Sequence, residues 1–481
     1  MLSQHQLEKA NEVLELMRQQ HKIIVIEGSA GTGKTYMVNE LITMIKDEFY
    51  KYGLVYVTAP THKAVDVITS KIEAKSYIEF KTIHSGLQLQ RRFMNGEAVY
   101  VKKRFNPRYP PFPNGKLLII DEASMIGNAT RDIGTVPIPG MLDLIEEFKD
   151  QMTIIYLGDR KQLNPVNEND SPVFTKGYPI VNLTEIKRQG EGNPIIHLSH
   201  NLKLIWTKQE NVMMMDKKII RKVFSEELKE QIEITETKQV MVGYTFTADR
   251  QKIISRLAAT NGTTEYKYLA YTNIEVDKMN TDVRKQIYGN PKKVEVGERI
   301  IFNAPYEQYM NNQEILVESC DIIVRRLEIP TSESILQDID GKLEIINRVK
   351  MANNTRPQID NAGKTIPTYD IFQCKCYLIN DNIIVVHEDS ERDFHDIAQD
   401  IQRKIDREGL DYKAKHYFKE QVADITYAHA VTVHKSQGST YEKVIINFPT
   451  IMSNTNNEER RRMTYTAITR ASDLVILFNV K

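Results

Sequence analysis

The sequence predicts an α/β protein built on a mostly parallel sheet with helices on both faces. Between residues 22 and 188, short apolar runs alternate with segments of helical spacing. Each run ends in glycine, small polar or charged residues, which places them at the carboxyl edge of the sheet, where α/β proteins bind ligands. The first run, Ile23-Ile24-Val25-Ile26, leads into Gly28-Ser29-Ala30-Gly31-Thr32-Gly33-Lys34-Thr35. A helical pattern of Met37, Val38, Leu41, Ile42, Met44 and Ile45 follows.

Strand, glycine-rich turn and helix form the context of a phosphate-binding loop. Glycines let backbone N–H groups curl around phosphate oxygens, and the helix N-terminus adds a favourable dipole. Gly28, Ser29, Ala30, Gly31, Thr32 and Gly33 are therefore expected to cradle phosphate. Lys34 would reach the β- and γ-phosphates of ATP, and the Thr35 hydroxyl would ligate Mg²⁺.

Bulk composition sets the outer bounds. The 481 residues suggest about three domains. An apolar share of 41% with 27% charged residues is that of an ordinary globular protein. No apolar run approaches the ~18 residues of a membrane span, so no membrane partner is expected. The N-terminus lacks the basic and apolar regions of a signal peptide. Three cysteines cannot build a disulfide framework, so a reducing cytoplasm is expected. Cys374 and Cys376 share one face of a strand without further ligands at metal spacing, and core packing is the expectation. Lys+Arg and Asp+Glu are both 64, so net charge does not decide whether nucleic acid is a partner.

In chain order, Ser3 is placed to cap a helix of Leu7, Val13, Leu14 and Met17. The amide of Gln6 is able to read an adenine edge, though a helix-start glutamine is more often simply exposed. A second strand, Leu54 to Val57, runs into Thr58-Ala59-Pro60-Thr61-His62-Lys63-Ala64, and Lys81-Thr82-Ile83-His84-Ser85 has similar character. Residues 87–115 mix basic groups with aromatics, among them Phe93, Tyr100 and Phe105, and Asn95-Gly96 signals a hairpin. Such a mixture suits phosphates and base faces.

The strand Lys116-Leu117-Leu118-Ile119-Ile120 delivers Asp121 and Glu122. Asp121 would hold Mg²⁺, and Glu122 would orient and deprotonate an attacking water. A further strand, Met152 to Leu157, ends in Gly158-Asp159-Arg160-Lys161-Gln162-Leu163-Asn164-Pro165-Val166, and Ile180 to Leu183 precedes Thr184-Glu185-Ile186-Lys187-Arg188. Between residues 300 and 422 the pattern changes: candidate strands Ile322 to Leu327 and Tyr369 to Ile379 flank a long insertion, and a charged helical segment runs from 390 to 422. The insertion at 330–365 matches no pattern. The run Glu458-Glu459-Arg460-Arg461-Arg462 reads as a solvated helix face.

The order of Gly28–Thr35, Thr58–Val65, Asp121–Ser124 and Gly158–Val166 resembles the first motor domain of a superfamily 1 helicase. Ala430-Val431-Thr432-Val433-His434-Lys435-Ser436-Gln437-Gly438-Ser439-Thr440 resembles that family's fifth motif, and Tyr465-Thr466-Ala467-Ile468-Thr469-Arg470-Ala471 its sixth. Tyr268 to Asn273, with Val276, Asp277 and Asn280, resembles a strand and helix of the second motor domain. The likeness is strongest to the RecD/Dda-like group, which moves 5′ to 3′, and it spans Gln6 to Arg470.

The resemblance implies two RecA-like P-loop domains with a β-hairpin insertion and an SH3-like accessory domain. The first motor domain would comprise 1–86 and 116–190, with the hairpin at 87–115. The second would comprise 191–300 and 423–481, with the accessory domain and its helical arm at 301–422. Gln6 would then meet adenine, Gln162 would couple the γ-phosphate to the DNA track, and Arg188 and Arg470 would approach that phosphate from across the cleft. Gln437 and Gly438 would complete the nucleotide site. Single-strand contacts would fall on Pro60, Thr61, His62, Thr82, His84, Thr432, His434 and Ser436. The implied activity is ATP-dependent unwinding of DNA, the implied partners are single-stranded DNA and duplex junctions, and a single-strand-binding protein or replisome component is a further candidate. The compartment would be a host cytoplasm if the chain is virus-encoded. An RNA or nucleoprotein-remodelling translocase and a non-catalytic DNA-binding scaffold are the alternatives.

Overall fold

The computed structural model describes residues 2–50, 53–94, 97–103, 108, 110–133, 136–165, 168–185, 194–202, 205, 211–216, 239–332, 334–339, 342–347, 369–386 and 388–480. The N-terminal half holds β1 (Ile23–Gly28), β2 (Leu54–Ala59), β3 (Ile78–Thr82), the hairpin β4 (Leu89–Met94) and β5 (Glu97–Lys102), then β6 (Gly115–Ile120). A second small hairpin, β7 (Arg131–Ile133) and β8 (Val136–Ile138), precedes β9 (Thr153–Gly158) and β10 (Ile180–Leu183). One six-stranded sheet runs in the order β10-β1-β9-β6-β2-β3, and every pairing in it is parallel. This is the arrangement that the alternation of apolar runs and helical segments predicts.

Its strands read as unbroken apolar runs because both faces are covered. On one face Ile24, Ile26, Val57 and Ile119 pack against the helices Gln4–Arg18 and Lys34–Phe49 through Val13, Leu14, Met37 and Leu41. On the other, Val25, Tyr56, Leu118 and Tyr156 meet Phe112, Leu142 and Phe148. Each fully buried aliphatic here contributes about 1.5–3 kcal/mol.

The second sheet is formed by β11 (Asn211–Asp216), β12 (Gln239–Thr247) and β13 (Tyr266–Ala270) together with late strands of the chain. The intervening segment carries β14 (Arg299–Phe302), β15 (Glu314–Leu316), β16 (Cys320–Pro330), the hairpin β17 (Ser334–Ile339) and β18 (Lys342–Asn347), β19 (Tyr369–Ile379), β20 (Ile383–Val386) and β21 (Ile425–Tyr427). The chain then returns through β22 (Ala430–Thr432), β23 (Tyr441–Asn447) and β24 (Ala471–Phe478). The second sheet runs β11-β12-β24-β23-β13-β22, parallel except for the edge pair β11–β12.

The segment between the two halves of this sheet forms two antiparallel three-stranded sheets, β15-β14-β21 and β16-β19-β20. They share a core of Ile300, Phe302, Val317, Tyr377, Ile379 and Val385. The helical arm is two helices, Glu388–Glu408 and Ala414–Glu420. Ala398, Ile401 and Phe418 of these helices pack against Leu327, Cys374 and Cys376. The two cysteines are thus core residues, as expected. Within the unassigned insertion, Ser334–Ile339 pairs antiparallel with Lys342–Asn347, and 333, 340–341 and 348–368 lie outside the described residues. No helix among the described residues is long and apolar enough to cross a membrane.

Candidate nucleotide site and nucleic-acid track

The phosphate loop connects β1 to the helix Lys34–Phe49. Gly31 and Gly33 adopt φ of 87° and 73°, a left-handed region that only glycine enters freely. At Gly28 the constraint is space: a Cβ there would lie 2.6 Å from Thr32 Oγ1 and 3.0 Å from Leu183 Cβ. Lys34 Nζ donates to the carbonyls of Gly28 (2.5 Å) and Ser29 (3.2 Å), so its ammonium sits inside the turn. Thr35 follows on the first turn of the same helix.

Two strands away, β6 ends at Asp121 and Glu122. Glu122 adopts φ 53° and ψ 43°, a left-handed conformation unusual for a side-chain-bearing residue. Its N–H donates to Asp121 Oδ1 at 2.9 Å. Burial raises the pKa of both carboxyls. Asp121 adds to the shift of Glu122, while Lys34 and Arg470 oppose it. Two adjacent desolvated acids ionise together only with positive charge at hand. The chemistry of this donor set, a hydroxyl at Thr35 and a carboxylate at Asp121 beside a phosphate loop, fits Mg²⁺.

The loop after β9 brings Asp159 and Gln162 to the same edge. Both are buried, and Gln162 Oε1 has no hydrogen-bond partner. From the second sheet, Gln437 Nε2 reaches Ser124 Oγ at 3.4 Å, and Gly438 (φ 76°) lies close against Ala64. Arg470 is buried and braced by the carbonyls of Thr466 and Ser439, both at 3.1 Å. Its charge is felt at Glu122 across the seam. The structure therefore brings Lys34, Thr35, Asp121, Glu122, Gln162, Gln437, Gly438 and Arg470 to one interface between the two sheets. Arg188 and Phe105 lie outside the described residues.

Gln6 is buried rather than exposed. Its side chain closes a capping box with Ser3, and its Nε2 donates to the Thr32 carbonyl at 3.3 Å. The glutamine thus forms part of the wall of the phosphate loop.

The expected single-strand contacts line the edges of both sheets, but their hydroxyls are engaged locally. Thr61 and Thr82 cap helices by accepting from Ala64 N and Ser85 N, both at 3.2 Å. Thr432 accepts from Lys435 N at 3.2 Å. Ser436 is fully buried and donates to the Val433 carbonyl at 2.7 Å, so it braces the turn from within. Pro60, His62, His84 and His434 remain accessible. Partial desolvation by their neighbours lowers the pKa of each of the three imidazoles, which favours the neutral ring near pH 7. Tyr100 of the β4–β5 hairpin packs on His84 with ring centroids 4.7 Å apart, and Phe93 stands opposite Ala98 in the same hairpin. The hairpin is therefore joined to the first sheet's edge at His84. Its tip at Asn95-Gly96 lies outside the described residues.

Two residues at this seam, Tyr465 and Arg462, are not among the sequence-predicted site residues. Tyr465 donates to Asp159 Oδ2 at 2.6 Å and accepts from the phosphate-loop N–H of Ala30 at 3.1 Å. Arg462 is buried, so the run Glu458–Arg462 is not a solvated face throughout. The signal was helical spacing within Asn457–Ile468 and its cap: Arg462, Tyr465, Thr466 and Thr469 fall on one stripe.

Residues 1–222 match the family described as an AAA domain, and residues 427–478 match the UvrD-like helicase C-terminal domain. An uncharacterised protein of Acanthamoeba polyphaga mimivirus is 25% identical, with 96% of this chain and 97% of that one aligned. The ATP-dependent DNA helicase Dda of Enterobacteria phage T4 is 27% identical over 63% of this chain and 61% of its own length. A Pif1 helicase from Bacteroides, solved with ADP-AlF3 and single-stranded DNA, is 17% identical and covers 99% of this chain at a TM-score of 0.46, with 92% of its own chain matched.

Proposed function

We propose, from its place among the superfamily 1 helicases of the Dda- and RecD-like group, that this chain is an ATP-driven DNA helicase moving 5′ to 3′ along a single strand. The observation that carries the reading is the seam between the two sheets, where the phosphate loop and the Asp121–Glu122 pair of one face Gln437 and Arg470 of the other.

ATP would seat its phosphates in the turn of Gly28–Gly33, with Lys34 at the β- and γ-phosphates. Thr35 and Asp121 would hold magnesium, which would supply positive charge against the phosphates. Glu122 orients the attacking water and takes its proton, for which a carboxyl of raised pKa is suited. The new bond joins water oxygen to the γ-phosphorus, and the bond to the β-phosphate oxygen breaks to leave ADP. Arg470 stabilises the charge on the transferred group from the opposite domain, so turnover depends on closure of the seam. Alternating closure and opening would shift the grip on a strand running past His62, His84 and His434. ATPase assays with single-stranded DNA and RNA of one sequence test the substrate class. DNA is expected to stimulate more strongly, and equal or greater stimulation by RNA would assign an RNA motor.

Separating a duplex needs an obstacle that only one strand can pass, and the β4–β5 hairpin beside His84 is that obstacle in this reading. An aromatic on its strands, Phe93 or Tyr100, would replace base stacking worth about 1–3 kcal/mol. The expected segment 87–115 ends in the protein core, however. Phe112 packs on Tyr56 and Phe148 with ring centroids at 5.1 and 5.3 Å, so a deletion must spare it. Replacing residues 91–102 by a short Gly/Ser linker is expected to leave DNA-stimulated ATPase within about twofold of the parent, a loop-exchange effect of a few tenths of a kcal/mol. Unwinding of a 5′-tailed duplex should collapse. Unwinding at the parent rate would place the wedge elsewhere, most directly in the segment 300–422.

A further inference from the structure

The loop that carries Asp159 and Gln162 leaves a strand of the first sheet, yet several of its polar groups are held by the second domain. Tyr465 holds Asp159 (2.6 Å), Thr466 Oγ1 accepts from Leu163 N (3.3 Å), and Gln437 Nε2 reaches the Leu163 carbonyl (3.5 Å). The Leu163 side chain is buried in the second domain's core beside Met463 and Ala467. At the centre stands Arg462. Its Nη1 donates to the carbonyls of Arg160 (2.6 Å) and Gln162 (3.3 Å) and to Asn164 Oδ1 (2.5 Å). Its Nη2 pairs with Asp170 Oδ1 at 2.7 Å, and its Nε with Glu458 Oε1 at 3.1 Å.

We propose that Arg462 is a positioning residue for ATP turnover: it locks the loop 159–164 to the helix Asn457–Ile468, so that Gln162 and Arg470 move as one body against the phosphate loop. Arg470 follows this helix directly, and its Nε is tied to Thr466 of the helix. Arg462 holds the backbone carbonyl of Gln162, which leaves the buried side-chain Oε1 uncommitted. A strand that displaces the second domain would thereby reposition Gln162 and Arg470 together. The fork geometry matters: a lysine keeps the charge but cannot serve two carbonyls, an amide oxygen and two carboxylates at once.

The proposal rests on the helicase reading, and the test keeps the two apart. The full chain, Arg462→Lys and Asp170→Asn are compared for the ratio of single-strand-stimulated to basal ATPase, the KM for ATP, and the stoichiometry of a fluorescent ADP. Arg462→Lys is expected to lower the ratio about tenfold, within the usual range of coupling between sites. KM should stay within about twofold, since no nucleotide contact is removed, and stoichiometry should stay near one. Asp170→Asn, at a half-exposed position where misfolding is not expected, should lower the ratio about threefold. A merely structural role would reduce stoichiometry while the ratio holds, and that result in either variant overturns the proposal. So does an unchanged ratio in both. If the parent chain shows no DNA-stimulated turnover, it is the helicase reading that fails.

Discussion

Arg470→Ala is expected to lower DNA-stimulated ATP turnover by about 10³-fold, while nucleotide still binds the first domain. An arginine supplied across a domain interface acts on the charge that develops in the transition state, and its loss costs 10³–10⁵ in rate in comparable nucleotide hydrolases. At 25 °C a factor of 10³ is about 4 kcal/mol of lost stabilisation. Here the guanidinium is buried, braced by Thr466 and Ser439, and already felt at Glu122. Steady-state ATPase with saturating single-stranded DNA, read beside fluorescent-ADP binding, checks it. Turnover within about threefold of the parent, far short of such an effect, would reduce Arg470 to a structural brace.

Lys34→Ala should act on the same reaction from the other wall, lowering hydrolysis by roughly 10²–10³-fold, the scale of removing one charge-stabilising donor. Alanine at the first position of the helix Lys34–Phe49 suits its backbone, so Tm should stay near the parent value. The two variants differ in binding: Lys34→Ala weakens ATP affinity because the ammonium leaves the turn it shares with the carbonyls of Gly28 and Ser29. Isothermal titration with a non-hydrolysable ATP analogue separates them. Parent-like turnover in Lys34→Ala would show that the turn does not bind phosphate.

The parallel sheet of the first domain was legible because apolar strands buried on both faces carry the strongest local signal a sequence has, and Gly28–Thr35 and Asp121–Glu122 sit at their ends. The second sheet was harder to read. Its strands come from both sides of a long insertion, and β13 pairs with β22 and β23 across more than 150 residues. Residues at the seam divided in the same way. Lys34 and Glu122 belong to local patterns, whereas Tyr465 and Arg462 gain their roles only from partners some 300 residues earlier in the chain. A charged run such as Glu458–Arg462 reads as solvated because composition is blind to which turn of the helix faces the neighbouring domain. Thr61, Thr82 and Ser436 show the converse limit, since local caps and burial occupy hydroxyls that position alone offers to a ligand.

The central claim, that ATP closure at the seam drives directional movement on DNA, is tested most directly by strand displacement on two duplexes that differ only in the polarity of a single-stranded tail. With ATP and Mg²⁺, the 5′-tailed duplex is expected to separate and the 3′-tailed one to remain paired. Arg470→Ala should separate neither. Displacement from the 3′ tail alone would reverse the proposed polarity, and ATP-independent or absent displacement on both substrates would contradict the account.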